Sequence, residues 1–199
     1  MMAVLEQQPV LEGLVTTLDA NGAPHLAVMG PRINFAEKKM LLRPFPTSQT
    51  CVNLCRHSQG VFHIHDDMLL YALSAIGKNA PAVFIPAHRI AGVLLQDCCN
   101  AFEFEVRSYD KSQARVQIVA DIVCDHKLRD FVGFNRARHA VIEAAILCTR
   151  LHLLPGQQVA EEIAQLRTLV EKTGGPREQE AFLTLENYHA QFQEGKAKS

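Results

Sequence analysis

Residues 13–30, GLVTTLDANGAPHLAVMG, contain two strand patterns separated by a turn signal. Gly13 to Leu18 is rich in β-branched residues and stops at Asp19, and Asn21-Gly22 is the strongest short-range hairpin signal because both positions tolerate positive φ. PHLAVMG is then the return strand, antiparallel to the first. Working outward, Met40 to Arg43 in KMLLR reads as a third strand closed by two prolines, and GVFHIHDD as a fourth. In AFEFEVRSY the apolar Phe102, Phe104 and Val106 alternate with Glu103, Glu105 and Arg107, as a half-buried strand requires. The turn DKSQ leads to its partner, ARVQIVADIVC. Six strands joined mainly by hairpins predict a small closed antiparallel barrel, because parallel strands would need a crossover helix after each one.

From Leu128 the period changes to that of helices. Asp130 to Leu154 is a long helix pattern stopped by Pro155-Gly156. QQVAEEIAQLRTLVEKTGG carries Val159, Ile163, Leu166 and Val170 on one face and ends at Gly174-Gly175, and EQEAFLTLENYHAQF repeats the pattern through Phe182, Leu185, Tyr188 or His189, and Phe192. The predicted fold is therefore mainly β with α: a barrel over 1–127, then a C-terminal helical subdomain over 128–199.

The chain has 199 residues, 48% hydrophobic and 21% charged, enough to bury a full core. A formal charge of −1 offers no basic stripe for duplex nucleic acid and no polybasic anchor for an anionic membrane. The N-terminal residues show no basic stretch followed by a long apolar one, and no run of eighteen apolar residues occurs, so neither export nor anchoring is expected. Six cysteines without a C-x-x-C pair suggest reduced thiols in the cytoplasm.

The segment RPFPTSQT (43–50) raises the question of a ligand. A strand ends in arginine, turns through prolines and presents Thr47, Ser48 and Thr50 at the start of a short apolar helix pattern. Hydroxyls, free main-chain N–H groups and a guanidinium fork make a phosphate-shaped environment. The alternative is an ordinary N-cap at Thr47 or Ser48 with Arg43 in a surface ion pair.

EGLVTTLDANGAPHLAVMGPRI, LLRPFPTSQTCVNL, GVFHIHDD and GFNRARHAVIEAAILCTRL together resemble a family of proteins of unknown function within the FMN-binding, flavin-reductase-like split-barrel superfamily. The resemblance covers nearly the whole chain. It implies a six-stranded antiparallel split barrel, a homodimer, and FMN held near the subunit interface. Carried over by position, Arg43, Thr47, Ser48 and Thr50 would hold the phosphate, and Asn53 would buttress that turn or reach the ribityl chain. Thr16, Thr17, Val28, Met29 and Gly30 would line the ring, largely through main-chain groups, with N–H donors stabilising the negative charge of the reduced flavin. Gly30-Pro31 would permit close approach and remove a competing donor.

Other clusters have plainer readings beside the functional ones. His63 and His65 share one side of a strand and are followed by Asp66 and Asp67, but local spacing fixes no third ligand, and no metal site is expected. Arg136, His139, Glu143 and Arg150 form a helical stripe, read as structural or interface-forming. Cys51 and Cys55 lie one turn apart near a helix start, which can activate a thiol, although cysteine also serves there as a small apolar residue. The resemblance implies a flavin-dependent oxidoreductase of undetermined substrate and electron donor, or alternatively a non-catalytic flavin-binding carrier, sensor or assembly module. No G-x-G-x-x-G fingerprint for a dinucleotide occurs, and split barrels of this type do not need one.

Overall fold

A computed structural model describes residues 2–78 and 80–197. The chain divides into two compact units, one of residues 1–65 and 82–131, the other of 66–81 and 132–199. The segment 66–81, which the sequence reading kept with the barrel, thus groups with the helices.

The first unit is built on an antiparallel sheet of seven strands in the order β2-β1-β5-β8-β9-β4-β3. These are β1 (Gly13–Leu18), β2 (Pro24–Met29), β3 (Arg32–Asn34), β4 (Lys39–Leu42), β5 (Gln59–Ile64), β8 (Asn100–Asp110) and β9 (Gln117–Lys127). The β1–β2 turn forms as its sequence dictates. Gly22 takes φ +80°, and the Asp19 carboxylate accepts from the N–H groups of Asn21 (2.8 Å) and Ala23 (2.9 Å).

The ladder is one strand longer than the six expected, and it is an open half-barrel rather than a closed one. Among the described residues β2 and β3 are its two edges and do not pair. They are nevertheless joined by Gly30 and Pro31 alone, so Met29 and Arg32 lie within about 11 Å and the sheet must curl until its edges nearly meet. Gly30 packs closely there: a Cβ would fall 2.6 Å from a Val10 methyl carbon and 3.0 Å from the Glu12 carboxylate, so those side chains would have to shift. The concave side holds Val15, Met40, Leu42, Leu54, Phe62, Phe104 and Ile118, all at most 1% exposed. Helix α2 (Gln49–His57) contributes Leu54 to this core, and α1 (Met2–Glu6) seats Leu5 against Leu41 and Val119.

A small hairpin, β6 (Phe84–Pro86) with β7 (Val93–Leu95), was not foreseen, being three residues per strand with no alternation. Its loop overturns one reading. Glu103, assigned to the solvent side of its strand, is fully buried because the β6–β7 loop covers it, and the β8–β9 register shifts between Glu103 and Phe104.

The second unit comprises α3 (Met68–Ala75), α4 (Arg136–Cys148), α5 (Gly156–Thr173) and α6 (Pro176–Ala197). The long helix expected over Asp130–Leu154 is trimmed at both ends. Gly133 adopts φ +103°, and the Asn135 side chain caps the helix by accepting from the N–H groups of Ala137 and Arg138. The chain leaves the helix at Thr149 and turns before Pro155. Helix α3 is a continuous apolar run whose one clear signal is its cap, Asp67, which accepts from the N–H groups of Leu69 and Leu70.

Candidate functional site

The turn between β4 and α2 carries the residues assigned to an anion. Arg43 follows the last paired residue of β4 and is exposed, with no hydrogen bond or ion pair to the described residues. Ser48 is the N-cap: its Oγ accepts from the Cys51 N–H (3.2 Å) and donates to the Phe45 carbonyl (2.8 Å). Its hydroxyl is therefore spent inside the turn, as the N-cap alternative required. The N–H groups of Gln49 and Thr50 and the exposed Thr47 hydroxyl have no partner among the described residues, so open donors remain at the positive end of the helix. Thr50 itself is 1% exposed, so its side chain is committed to the interior and its main-chain N–H is the group without a partner among the described residues.

Two further cations were missed in the sequence. Arg115 sits 4.2 Å over the Phe45 ring, and the adjoining Val116 N–H donates to the Pro44 carbonyl (3.0 Å), which brings the β8–β9 hairpin tip against the turn. Lys111, from the same tip, is close enough to act electrostatically on Cys51. The signal was present in DKSQAR, but only the sheet register shows that this hairpin reaches residues 44–51.

Asn53 ties the turn to the early strands. It is buried, accepts from Gln49 Nε2 (2.7 Å) and donates to Thr17 Oγ1 (2.9 Å). One turn on, Arg56 donates to the carbonyls of Leu18 (2.7 Å) and Asp19 (2.5 Å), so α2 runs along β1 toward the hairpin turn. Thr16 and Thr17 lie one strand in from the edge. Both are buried, and Thr16 Oγ1 donates to the Val93 carbonyl (2.6 Å), so these side chains are committed within the protein. Val28, Met29 and Gly30 differ. They are half-buried and lie on or beside the edge strand β2, whose outward main-chain groups are unpaired in the sheet.

The remaining clusters separate into structural roles. His63 is fully buried, with Nδ1–H donating to the Leu14 carbonyl (3.2 Å) and Nε2 accepting from the Leu95 N–H (3.1 Å). Burial, with help from nearby His65 and His126, pushes its pKa down to about 3 against the hydrogen bond to Leu14. The unfolded chain protonates this residue near 6.5, so it takes up more protons than the folded chain between those values. Stability present above pH 6.5 is consequently lost as pH falls toward 3, by up to the order of 5 kcal/mol. In His63→Gln the unfolding midpoint should vary less with pH over this window, and a dependence identical to the parent's would show that His63 is not the group responsible.

Asp66 and Asp67 are engaged in ion pairs within the helical unit. Asp66 pairs with Arg138 (3.3 Å), which also meets Glu178 (3.1 Å), and Asp67 takes a two-pronged contact from Arg177 (3.0 and 2.7 Å). Arg136, His139, Glu143 and Arg150 are exposed, opposite the buried Ala137, Ala140, Val141, Ala144 and Ala145. All six cysteines are free thiols. Burial, reinforced by Cys55, pushes the Cys51 thiol up, the opposite of what a nucleophile needs.

Family models for a protein of unknown function, DUF447, match residues 11–129 with the N-terminal domain and 135–187 with the C-terminal one. The chain belongs to the DUF447 family. No curated protein matches it. Among solved structures, the FMN-bound DUF447 protein MM1853 from Methanosarcina mazei superposes with a TM-score of 0.76 at 19% identity, over 94% of this chain and 100% of that one. The 2-nitrobenzoate 2-nitroreductase NbaA of Pseudomonas fluorescens gives 0.51 at 14% identity, over 63% of this chain and 68% of that one. The styrene monooxygenase flavin reductase of Pseudomonas putida S12 gives 0.51 at 12% identity, over 65% and 86%. These likenesses establish the flavin-reductase-like fold. No helix among the described residues is long and apolar enough to cross a membrane.

Proposed function

We propose that this DUF447 protein is a cytoplasmic, homodimeric FMN-binding protein with flavin-dependent oxidoreductase chemistry. The observation that carries the reading is the turn 43–50, which brings an exposed arginine, the Thr47 hydroxyl and two N–H groups at the start of α2 into one short segment, each with no partner among the described residues. Such a set matches a dianionic phosphate in charge and hydrogen-bonding sense. The same fold in an FMN-bound family member supports it.

Arg43, Thr47 and the N–H groups of Gln49 and Thr50 would hold the phosphate, with Arg115 and Lys111 adding positive potential. Ser48 and Asn53 would act behind them, fixing the turn and joining it to β1. Val28, Met29 and Gly30 would meet the ring through the outward main-chain groups of β2. The flavin, when bound, supplies hydride or electron transfer, and the protein supplies orientation and electrostatics. A second subunit would cover a ligand lying at the rim of an open half-barrel.

The second reading is a flavin-binding module without turnover. It is favoured by the side chains of Thr16, Thr17 and Asn53, which are hydrogen-bonded within the protein and do not titrate. One series of measurements separates the readings. Sedimentation followed at flavin wavelengths should show FMN travelling with a dimer, and anaerobic mixing with NADH or NADPH should bleach it. A stable yellow dimer that neither donor bleaches supports the module, and a protein that retains no FMN refutes both.

A further inference from the structure

Residues two apart on a strand share a face, so Cys124 and His126 of β9 point the same way, and the ladder sets Glu103 of β8 directly opposite Cys124. Glu103 is fully buried, yet its carboxylate is saturated. It accepts the main-chain N–H groups of His88 (2.7 Å), Arg89 (2.8 Å) and Ile90 (3.1 Å) and pairs with His126 Nε2 (2.7 Å). Three of those donors belong to the β6–β7 loop, which is thereby fastened across β8 and β9. As a result the His88 ring stands edge-on to that of His126, with centroids 4.6 Å apart.

One ligand atom each from His88, Cys124 and His126 lies within 4.8 Å of the others. Pinning the loop accounts for Glu103, but not for two imidazoles and a thiol converging beside it. A carboxylate that already takes three N–H groups acts as an acceptor, so it holds the proton of His126 at Nε2 and leaves the Nδ1 lone pair as the ligand. A carboxylate behind a histidine is the usual outer-shell support of a metal-bound imidazole. Ligand atoms around a tetrahedral zinc ion stand about 3.3–3.6 Å apart, so small side-chain rotations would close the cluster.

We propose that His88, Cys124 and His126 form a zinc site of two nitrogens and one sulfur, oriented by Glu103, with its fourth position open to water or an external ligand. Two imidazoles and a thiolate suit this borderline-soft ion better than magnesium or calcium, which prefer oxygen. On binding, Cys124 releases its thiol proton to solvent, with no change of oxidation state.

Full-length protein stripped with a chelator and titrated with zinc against a chromophoric competitor should bind one equivalent per chain with submicromolar affinity. Cobalt in place of zinc should produce a thiolate-to-metal charge-transfer band. Cys124→Ser and His88→Ala should each weaken zinc binding more than tenfold, and Glu103→Gln by roughly ten- to a hundredfold. His88 is on an exposed loop, so its variant keeps the test valid even if Glu103→Gln folds poorly. Cys55→Ser, on α2, should change nothing. Alkylation of the unaltered protein adds an independent measurement, since zinc should protect Cys124 and leave Cys55 reactive. Absence of a submicromolar equivalent, equal affinity in Cys124→Ser, or cobalt binding without the charge-transfer band would overturn the site.

Discussion

Arg43→Ala is expected to bind FMN roughly tenfold to a hundredfold more weakly, with riboflavin affinity unchanged. A hydrogen bond to a charged group contributes about 1.5–3 kcal/mol, which sets that range. The structure sharpens the comparison, because the competing explanation for a conspicuous surface arginine is an ion pair worth about 0–1 kcal/mol of folding stability. Arg43 is exposed and makes no such pair with the described residues, so its removal should leave the urea midpoint in place. Ser48→Ala should behave differently. Its hydroxyl caps α2 and grips the Phe45 carbonyl, so the loss falls on stability, at about 1 kcal/mol, and on FMN only through the shape of the turn. Titrating FMN and riboflavin against parent and Arg43→Ala decides the matter. If the ratio of the two affinities does not change, the turn does not hold the phosphate.

What the sequence disclosed here followed from strong local rules. Asn21-Gly22 specified the first hairpin, the alternation in 101–109 specified one of the two longest strands, and Pro155-Gly156 and Gly174-Gly175 punctuated the helices. The turn 43–50 reads as a candidate anion site because an arginine, hydroxyls and a helix start follow one another within eight residues. Elements escaped where their cause is distant in the chain. β3 and the β6–β7 strands are three residues each and exist because a neighbour offers them a ladder, and α3 is apolar all round, so no periodicity marks it. Openness of the half-barrel was equally hidden, since six hairpin-linked strands describe a closed barrel as well as a curled sheet whose edges are joined by Gly30-Pro31. Arg115 and Lys111 reach the turn only through the β8–β9 register. His63 and His65 were paired by spacing, whereas the ligand-rich cluster at His88, Cys124 and His126 draws on segments more than thirty residues apart and no local pattern could have found it.

Glu103 is where alternation misled most, and it carries the largest expected effect on folding. Read as the polar partner of Phe102 and Phe104, it should tolerate alanine with a change within about 0.5 kcal/mol. The structure predicts otherwise. Glu103→Ala leaves the N–H groups of His88, Arg89 and Ile90 and the Nε2 of His126 facing a space with no acceptor, and the parent carboxylate is 0% exposed. An orphaned buried donor costs about 1–3 kcal/mol, and a hydrogen bond to a charged group such as this carboxylate contributes about 1.5–3 kcal/mol. Since the loop can in part peel away and let water satisfy the main-chain groups, the expected loss is about 3–5 kcal/mol rather than the sum over four donors. Glu103→Gln should lose less, keeping one carbonyl oxygen as acceptor while turning an amide N–H₂ toward groups that are themselves donors. Urea denaturation without added metal should therefore order the three proteins as parent, Gln, then Ala, and hydrogen exchange should show residues 88–90 losing protection first. If alanine costs under 1 kcal/mol with the loop still protected, Glu103 is not what holds the β6–β7 loop over the sheet, and the pre-oriented His126 inferred from it is lost as well.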